Sequence, residues 1–135
     1  MPTLVGLALA LTVAAFARVV GLDRDRAFYP VVLIVIASYY ILFAVMAGAT
    51  AGLVTEILAF MVFAVAAVLG FRTSLWIAAA ALVMHGVFDL TRQSVLPGQG
   101  VPEWWPGFCM GYDVAAGLVL AMLLLLRKEL RPAAA

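Results

Sequence analysis

Residues 50–69 read TAGLVTEILAFMVFAVAAVL, a mainly apolar run whose one ionisable side chain is Glu56. A transmembrane helix needs about 20 such residues to cross about 30 Å of hydrocarbon. The run therefore predicts a membrane-spanning helix. A carboxylate inside that helix is costly unless it faces protein or water, so Glu56 is a candidate functional residue.

Four further apolar runs of similar length surround this one. They predict spans at about 3–20, 29–47, 74–96 and 107–126, in addition to the span at 50–69. The predicted fold is an all-α integral membrane protein, a bundle of five transmembrane helices that forms a single domain over residues 1–135. The spans occupy most of the chain and leave only short turns between them.

The composition excludes several classes of protein. Hydrophobic residues make up 67% of the 135 residues and charged residues 11%, whereas soluble domains are nearer half apolar. Neither a Gly-rich phosphate loop nor a basic patch is present, which argues against a nucleotide-binding fold and against a nucleic-acid partner. The expected partners are membrane lipids and an apolar small molecule.

The basic residues predict the orientation of the bundle. Five spans place one set of them on a single side: Arg18, Arg24, Arg26, Arg72, Arg127, Lys128 and Arg131. The opposite side has Arg92 alone. Because basic residues concentrate on the cytoplasmic side, we expect the N-terminus outside and the C-terminus in the cytoplasm, in a multi-pass protein of the plasma membrane.

Three carboxylates share one depth in the predicted bundle. Glu56, Asp89 and Asp113 each lie six or seven residues from the outer end of their span, which is about 9 to 11 Å at 1.5 Å per residue. The spans run in alternating directions, so this agreement does not follow from the segmentation. It predicts a shared polar pocket in the outer leaflet.

The fourth span carries a polar stripe. His85, Asp89 and Arg92 occupy positions i, i+4 and i+7, which lie on one face of a helix. Ionisable residues inside a membrane face the protein interior or a water-filled cavity. We therefore expect this face to point into the bundle.

Aromatic and basic side chains complete the predicted pocket. One of Tyr39 and Tyr40 should face inward, since they are about a hundred degrees apart on a helix, and we favour Tyr39. A tryptophan pair at the outer interface is an anchor or a lid over the pocket. The candidate ligand-binding residues are Arg92, Tyr39, Tyr112, Trp104 and Trp105.

The leading functional hypothesis is a membrane protein that binds, or acts by acid/base chemistry on, a lipid- or isoprenoid-like molecule. His85 and Asp89 would be the acid/base pair, with Glu56 or Asp113 as the complementary carboxylate. Isomerisation or hydration would need no cofactor, and none is expected. Whether the chain is an enzyme stays open.

Other hypotheses use the same residues. Carboxylates and a histidine can load and release ions, as in a proton- or cation-coupled transporter or a channel subunit, where a homo-oligomer could complete the path. Glu56, His85, Asp89 and Asp113 also offer nitrogen and oxygen ligands suited to iron, manganese or zinc. Alternatively, the chain is an accessory subunit of a larger complex, and its polar residues serve packing.

Small residues predict close helix contacts at the outer end. Gly107 and Gly111 form a Gly-x-x-x-Gly pattern in the fifth span, and Gly48 and Gly52 form another at the start of the third. Such patterns let two helix backbones approach each other.

Overall fold

The computed structural model describes residues 1–95 and 100–129, without the side chains of residues 93, 128 and 129. The described part contains five long helices and one short 3₁₀ turn, Leu22–Arg24. The helices are α1 (Pro2–Val20), α2 (Phe28–Met46), α3 (Thr50–Arg72), α4 (Leu75–Val95) and α5 (Trp105–Glu129).

The predicted all-helical architecture is confirmed, because all five helices are long and apolar enough to cross a membrane. Their observed bounds lie within three residues of the predicted ones. Leu96, the predicted end of the fourth span, lies outside the described residues. So do Arg131 and the side chain of Lys128, two members of the predicted basic set.

Helices α4 and α5 form the most extensive contact of the bundle. Helix α5 also packs closely against α1, while α3 joins α2 to α4. Buried leucine and alanine side chains fill the core between α2, α3, α4 and α5, among them Leu33, Leu82 and Leu120. No Cα atom of α1 lies within 8 Å of a Cα atom of α2, and a gap separates these two helices.

Glycines explain the close contact of α1 with α5. A Cβ atom at Gly6 would overlap the backbone carbonyl of Phe108, and one at Gly111 would overlap the carbonyl of Thr3. Small residues let helices approach to backbone contact where dispersion, rather than the hydrophobic effect, holds them together. The expected close packing at Gly111 is therefore present, with α1 as the partner, whereas at Gly48 the prediction is wrong, because a Cβ atom there would have nothing within 4 Å.

Replacing Gly6 by leucine should separate α1 from α5. Overpacking a tight contact costs about 1–3 kcal/mol, which should appear as a lower midpoint of thermal or SDS-induced unfolding in detergent. Ala8→Leu is the matched control, since Ala8 is an exposed position of the same helix. Equal losses in the two variants would contradict the assigned contact.

The two ends of the bundle differ in chemistry. The tryptophan end has the start of α1, the α2–α3 turn and the start of α5, with Trp104 and Trp105. The basic end has the α1–α2 turn, the α3–α4 turn and the end of α5. There, Asp23 is buried; its carboxylate lies 3.1 Å from the Arg18 guanidinium and its backbone carbonyl accepts a hydrogen bond from Arg127 (2.8 Å).

A further arginine at the basic end caps a helix. The guanidinium of Arg26 donates to the backbone carbonyls of Gly70, Phe71 and Thr73 at distances of 3.1 to 3.4 Å. The last carbonyls of a helix lack partners within it, and basic side chains supply them. Arg26 thereby ties the α1–α2 turn to the end of α3.

Candidate functional site

Six polar side chains from four helices form a buried network, and each is at most 2% exposed. Its members are Tyr40 on α2, Glu56 on α3, His85, Asp89 and Arg92 on α4, and Asp113 on α5. The four residues proposed from the sequence for acid/base chemistry all belong to it. The three carboxylates that share a predicted depth thus also share one buried region.

His85 is the centre of one half of the network. Its Nδ1 lies 2.6 Å from Asp113 Oδ2 and 3.6 Å from Asp89 Oδ2. The Tyr40 hydroxyl donates a hydrogen bond of 2.5 Å to Asp89 Oδ1. These contacts connect α2, α4 and α5 through two carboxylates that come from different helices.

Arg92 and Glu56 form the other half. Both oxygens of the Glu56 carboxylate accept hydrogen bonds from the Arg92 guanidinium, and the bond from Nε is 3.4 Å long. Two-pronged pairing of this kind is the strongest geometry for arginine and carboxylate. The guanidinium carbon also lies 4.3 Å from the centre of the Tyr40 ring, a cation–π contact. This pair fastens α3 to α4.

The network is closed rather than an open pocket. The cleft beside it, lined by Glu56, Phe63, His85 and Phe88 among others, is too narrow to admit a water molecule. The structure therefore differs from the predicted outer-leaflet polar pocket. Polar groups without water pay a large desolvation cost unless they bond to each other, which explains why these side chains close on one another.

An open cavity lies elsewhere, in the gap between α1 and α2. This lateral groove has a volume of about 630 Å³, opens sideways and has α5 as its floor. Apolar side chains make up most of its walls, among them Leu9, Val13, Val31, Val35, Ile36 and Phe108. Five side chains with a polar atom also line it: Asp25 at the basic end, and Tyr39, Trp105, Cys109 and Tyr112.

Trp105 closes the groove at the tryptophan end. Its ring centre lies 5.0 Å from that of Tyr39 and 4.9 Å from that of Phe43. The indole Nε1 is buried and has no hydrogen-bond partner among the described residues. Trp104 is 53% exposed and does not line the groove. The tryptophan pair thus does not roof the polar network.

The structure distributes the predicted ligand-binding residues between two places. Tyr39, Tyr112 and Trp105 line the groove, whereas Arg92 belongs to the network. Tyr40, not Tyr39, turns toward the network. The buried face of α2 contains Leu33, Ile36, Ala37, Tyr40 and Ala44, and nothing in this uniformly apolar helix distinguishes that face in the sequence.

These features define a class: a small all-helical protein with five potential membrane spans, a closed polar network in its core and an apolar groove on one side. Comparison with known protein families, with curated proteins and with solved structures gives no match. The groove and the network are therefore the features that bear on function.

Proposed function

We propose that this chain is an integral membrane protein that binds an apolar, lipid-like molecule in the lateral groove. The carrying observation is the groove itself. Its volume of about 630 Å³ falls within the range of about 300–1,000 Å³ typical of small-molecule sites. It opens to the side of the bundle, where hydrocarbon would surround an inserted protein.

The shape of the groove favours a single long chain. Along α2 it extends from Ala27 to Tyr39, which is about 18 Å at 1.5 Å per residue. An acyl or isoprenoid chain fits an elongated apolar space of that length. Helices α1, α2 and α5 enclose the groove on three sides, so a bound chain would contact the bilayer only on the fourth side.

Trp105 adds a preference for the head of the ligand. A buried N–H without a partner costs about 1–3 kcal/mol, and a turn of the indole that brings Nε1 to a ligand oxygen in the groove would remove that cost. The preferred occupant is thus an apolar chain with a carbonyl or hydroxyl group near the tryptophan end. Tyr39 lies beside the indole and can contact the same group.

The orientation of the ligand follows from that of the protein. We propose that the basic end faces the cytoplasm, since Arg18, Arg24, Arg26, Arg72 and Arg127 gather there. Arg92 is held by Glu56 inside the bundle and does not oppose this assignment. The polar head of the ligand would then lie in the outer leaflet of a plasma membrane.

Binding, rather than acid/base chemistry, is the activity that we propose. The groove is not lined by His85, Asp89, Glu56 or Asp113, so a molecule in it would not touch the buried carboxylates. The Glu56–Arg92 pair has the geometry of a fastener between helices. The network then serves to hold the walls of the groove in place.

Filling the groove tests the proposal. We expect native mass spectrometry of gently purified protein to detect a bound lipid-like molecule, and Val31→Trp/Val35→Trp to reduce its occupancy at least about tenfold, because the two indoles occupy its volume. Val45→Trp is the control, since Val45 is 60% exposed on the same helix outside the groove. A wild-type protein without ligand, or equal occupancy in all variants, would overturn the proposal.

Trp105→Phe tests the head-group preference. Phenylalanine keeps the aromatic wall but removes the N–H donor, so an ester of a long fatty acid should bind about 2- to 10-fold more weakly, the worth of one hydrogen bond. An alkane of equal length should bind both proteins alike. Competition against the resident ligand in native mass spectrometry measures both affinities, and equal losses for ester and alkane would contradict a role for the donor.

A further inference from the structure

We propose that His85, Asp89 and Asp113 bind a divalent transition-metal ion. This metal cluster lies outside the groove and goes beyond the proposed lipid-like ligand. It offers one imidazole nitrogen and two carboxylates, and one ligand atom from each residue lies within 4.8 Å of the others. Mixed nitrogen and oxygen ligands suit zinc, manganese or iron(II), whereas magnesium and calcium prefer oxygen alone.

The distances are close to those of a metal site. Ions with bonds of about 2.0–2.2 Å hold tetrahedral ligands about 3.3–3.6 Å apart. His85 Nδ1 lies 3.6 Å from Asp89 Oδ2 already, and 2.6 Å from Asp113 Oδ2. A movement of less than about 1 Å between His85 and Asp113 would open a central position for the ion.

Two carboxylate oxygens of the cluster are not engaged by a hydrogen-bond donor among the described residues. Asp89 Oδ2 and Asp113 Oδ1 are buried and have no hydrogen-bond partner among the described residues. The Tyr40 hydroxyl engages the other oxygen of Asp89, which fixes the carboxylate and leaves Oδ2 directed toward His85. A hydroxyl that orients a ligating carboxylate is a usual supporting contact of metal sites.

The charges of the network also balance with a divalent ion. Glu56 and Arg92 neutralise each other, so Glu56 is not among the proposed ligands although it lies in the same network. With both aspartates ionised as metal ligands and the imidazole neutral, the cluster would carry two negative charges in a buried place. One divalent cation compensates both, and histidine ligates metals in its neutral form.

Metal titration of the detergent-purified protein tests the site. After treatment with a chelator, the wild type should take up one Zn²⁺ per chain by elemental analysis and give a visible ligand-field spectrum with Co²⁺. Asp113→Asn should lower Co²⁺ affinity at least about 100-fold, and Tyr40→Phe about 10- to 100-fold, the range for supporting residues. Glu103→Gln, which changes an exposed carboxyl outside the network, should bind as the wild type does.

Several results of these metal-binding measurements would contradict the proposed site. No stoichiometric metal in the wild type, or unchanged Co²⁺ affinity in Asp113→Asn, would overturn the proposal. If Asp113→Asn does not fold, Tyr40→Phe decides, since unchanged affinity there contradicts the assigned support. Val31→Trp/Val35→Trp should lose lipid and keep metal; loss of metal in that variant would place the ion in the groove and overturn the assignment to the cluster.

Discussion

Replacing Arg92 by methionine alone is expected to destabilise the protein by about 3–5 kcal/mol, the cost of leaving a buried charge without its partner. Glu56 is 1% exposed and both its oxygens accept from the Arg92 guanidinium. The variant also loses the cation–π contact with Tyr40. The free energy of unfolding by SDS in mixed micelles, followed by circular dichroism, measures the loss.

The double variant Glu56→Leu/Arg92→Met is the decisive companion. Removing both partners abolishes the unpaired charge, and buried ion pairs replaced by apolar residues are often as stable as the original. We therefore expect stability near that of the wild type. Arg24→Met, at an exposed position of the basic end, should stay within about 0.5 kcal/mol. A double variant as unstable as Arg92→Met would show that the pair is not the source of the loss.

The five helices and the burial of the three carboxylates in one region were predictable from the sequence. Long apolar runs identify spans by length alone. Glu56, Asp89 and Asp113 were predicted at one depth, and few other groups can compensate charge inside such a bundle. Their burial in a common network follows from that scarcity.

The choice of partners was not predictable. The order of helices around a bundle is encoded by the difference between inward and outward faces, but α2 has no charged residue and is apolar on all sides. In lipid, both faces can be apolar. Nothing in the sequence therefore told that Tyr40 rather than Tyr39 meets Asp89, or that Glu56 takes Arg92 and leaves His85 to the aspartates.

The groove results from the way in which whole helices pack, rather than from a local sequence pattern. Gly6 and Gly111 let α1 settle onto α5, while α2 is held by α3 and by the bond from Tyr40 to Asp89. The gap between α1 and α2 is the space that these two attachments leave. No local pattern encodes it, although Tyr39, Tyr112 and Trp105, predicted to contact a ligand, lie on its lining.

Removing His85 should also destabilise the bundle. His85→Leu fills the space between Phe63 and Phe88 but leaves Asp89 and Asp113 facing each other without a donor between them. Asp113 then loses its hydrogen-bond partner and Asp89 keeps only the Tyr40 hydroxyl, so we expect a loss of about 1–3 kcal/mol in chelator-treated protein. The same SDS titration measures it, and the chelator separates this effect from metal binding.

A second substitution distinguishes the repulsion of the carboxylates from a simple packing defect. In the background of His85→Leu, Asp113→Leu removes one carboxylate and should restore most of the lost stability, whereas the two losses would add if the residues were independent. His85→Asn should fall in between, because its side-chain amide can still donate to one carboxylate. Additive losses in His85→Leu/Asp113→Leu would mean that His85 stabilises the bundle by filling space between the phenylalanine rings. A strong positive coupling energy would mean that His85 stabilises the bundle by reducing the repulsion between two buried carboxylates.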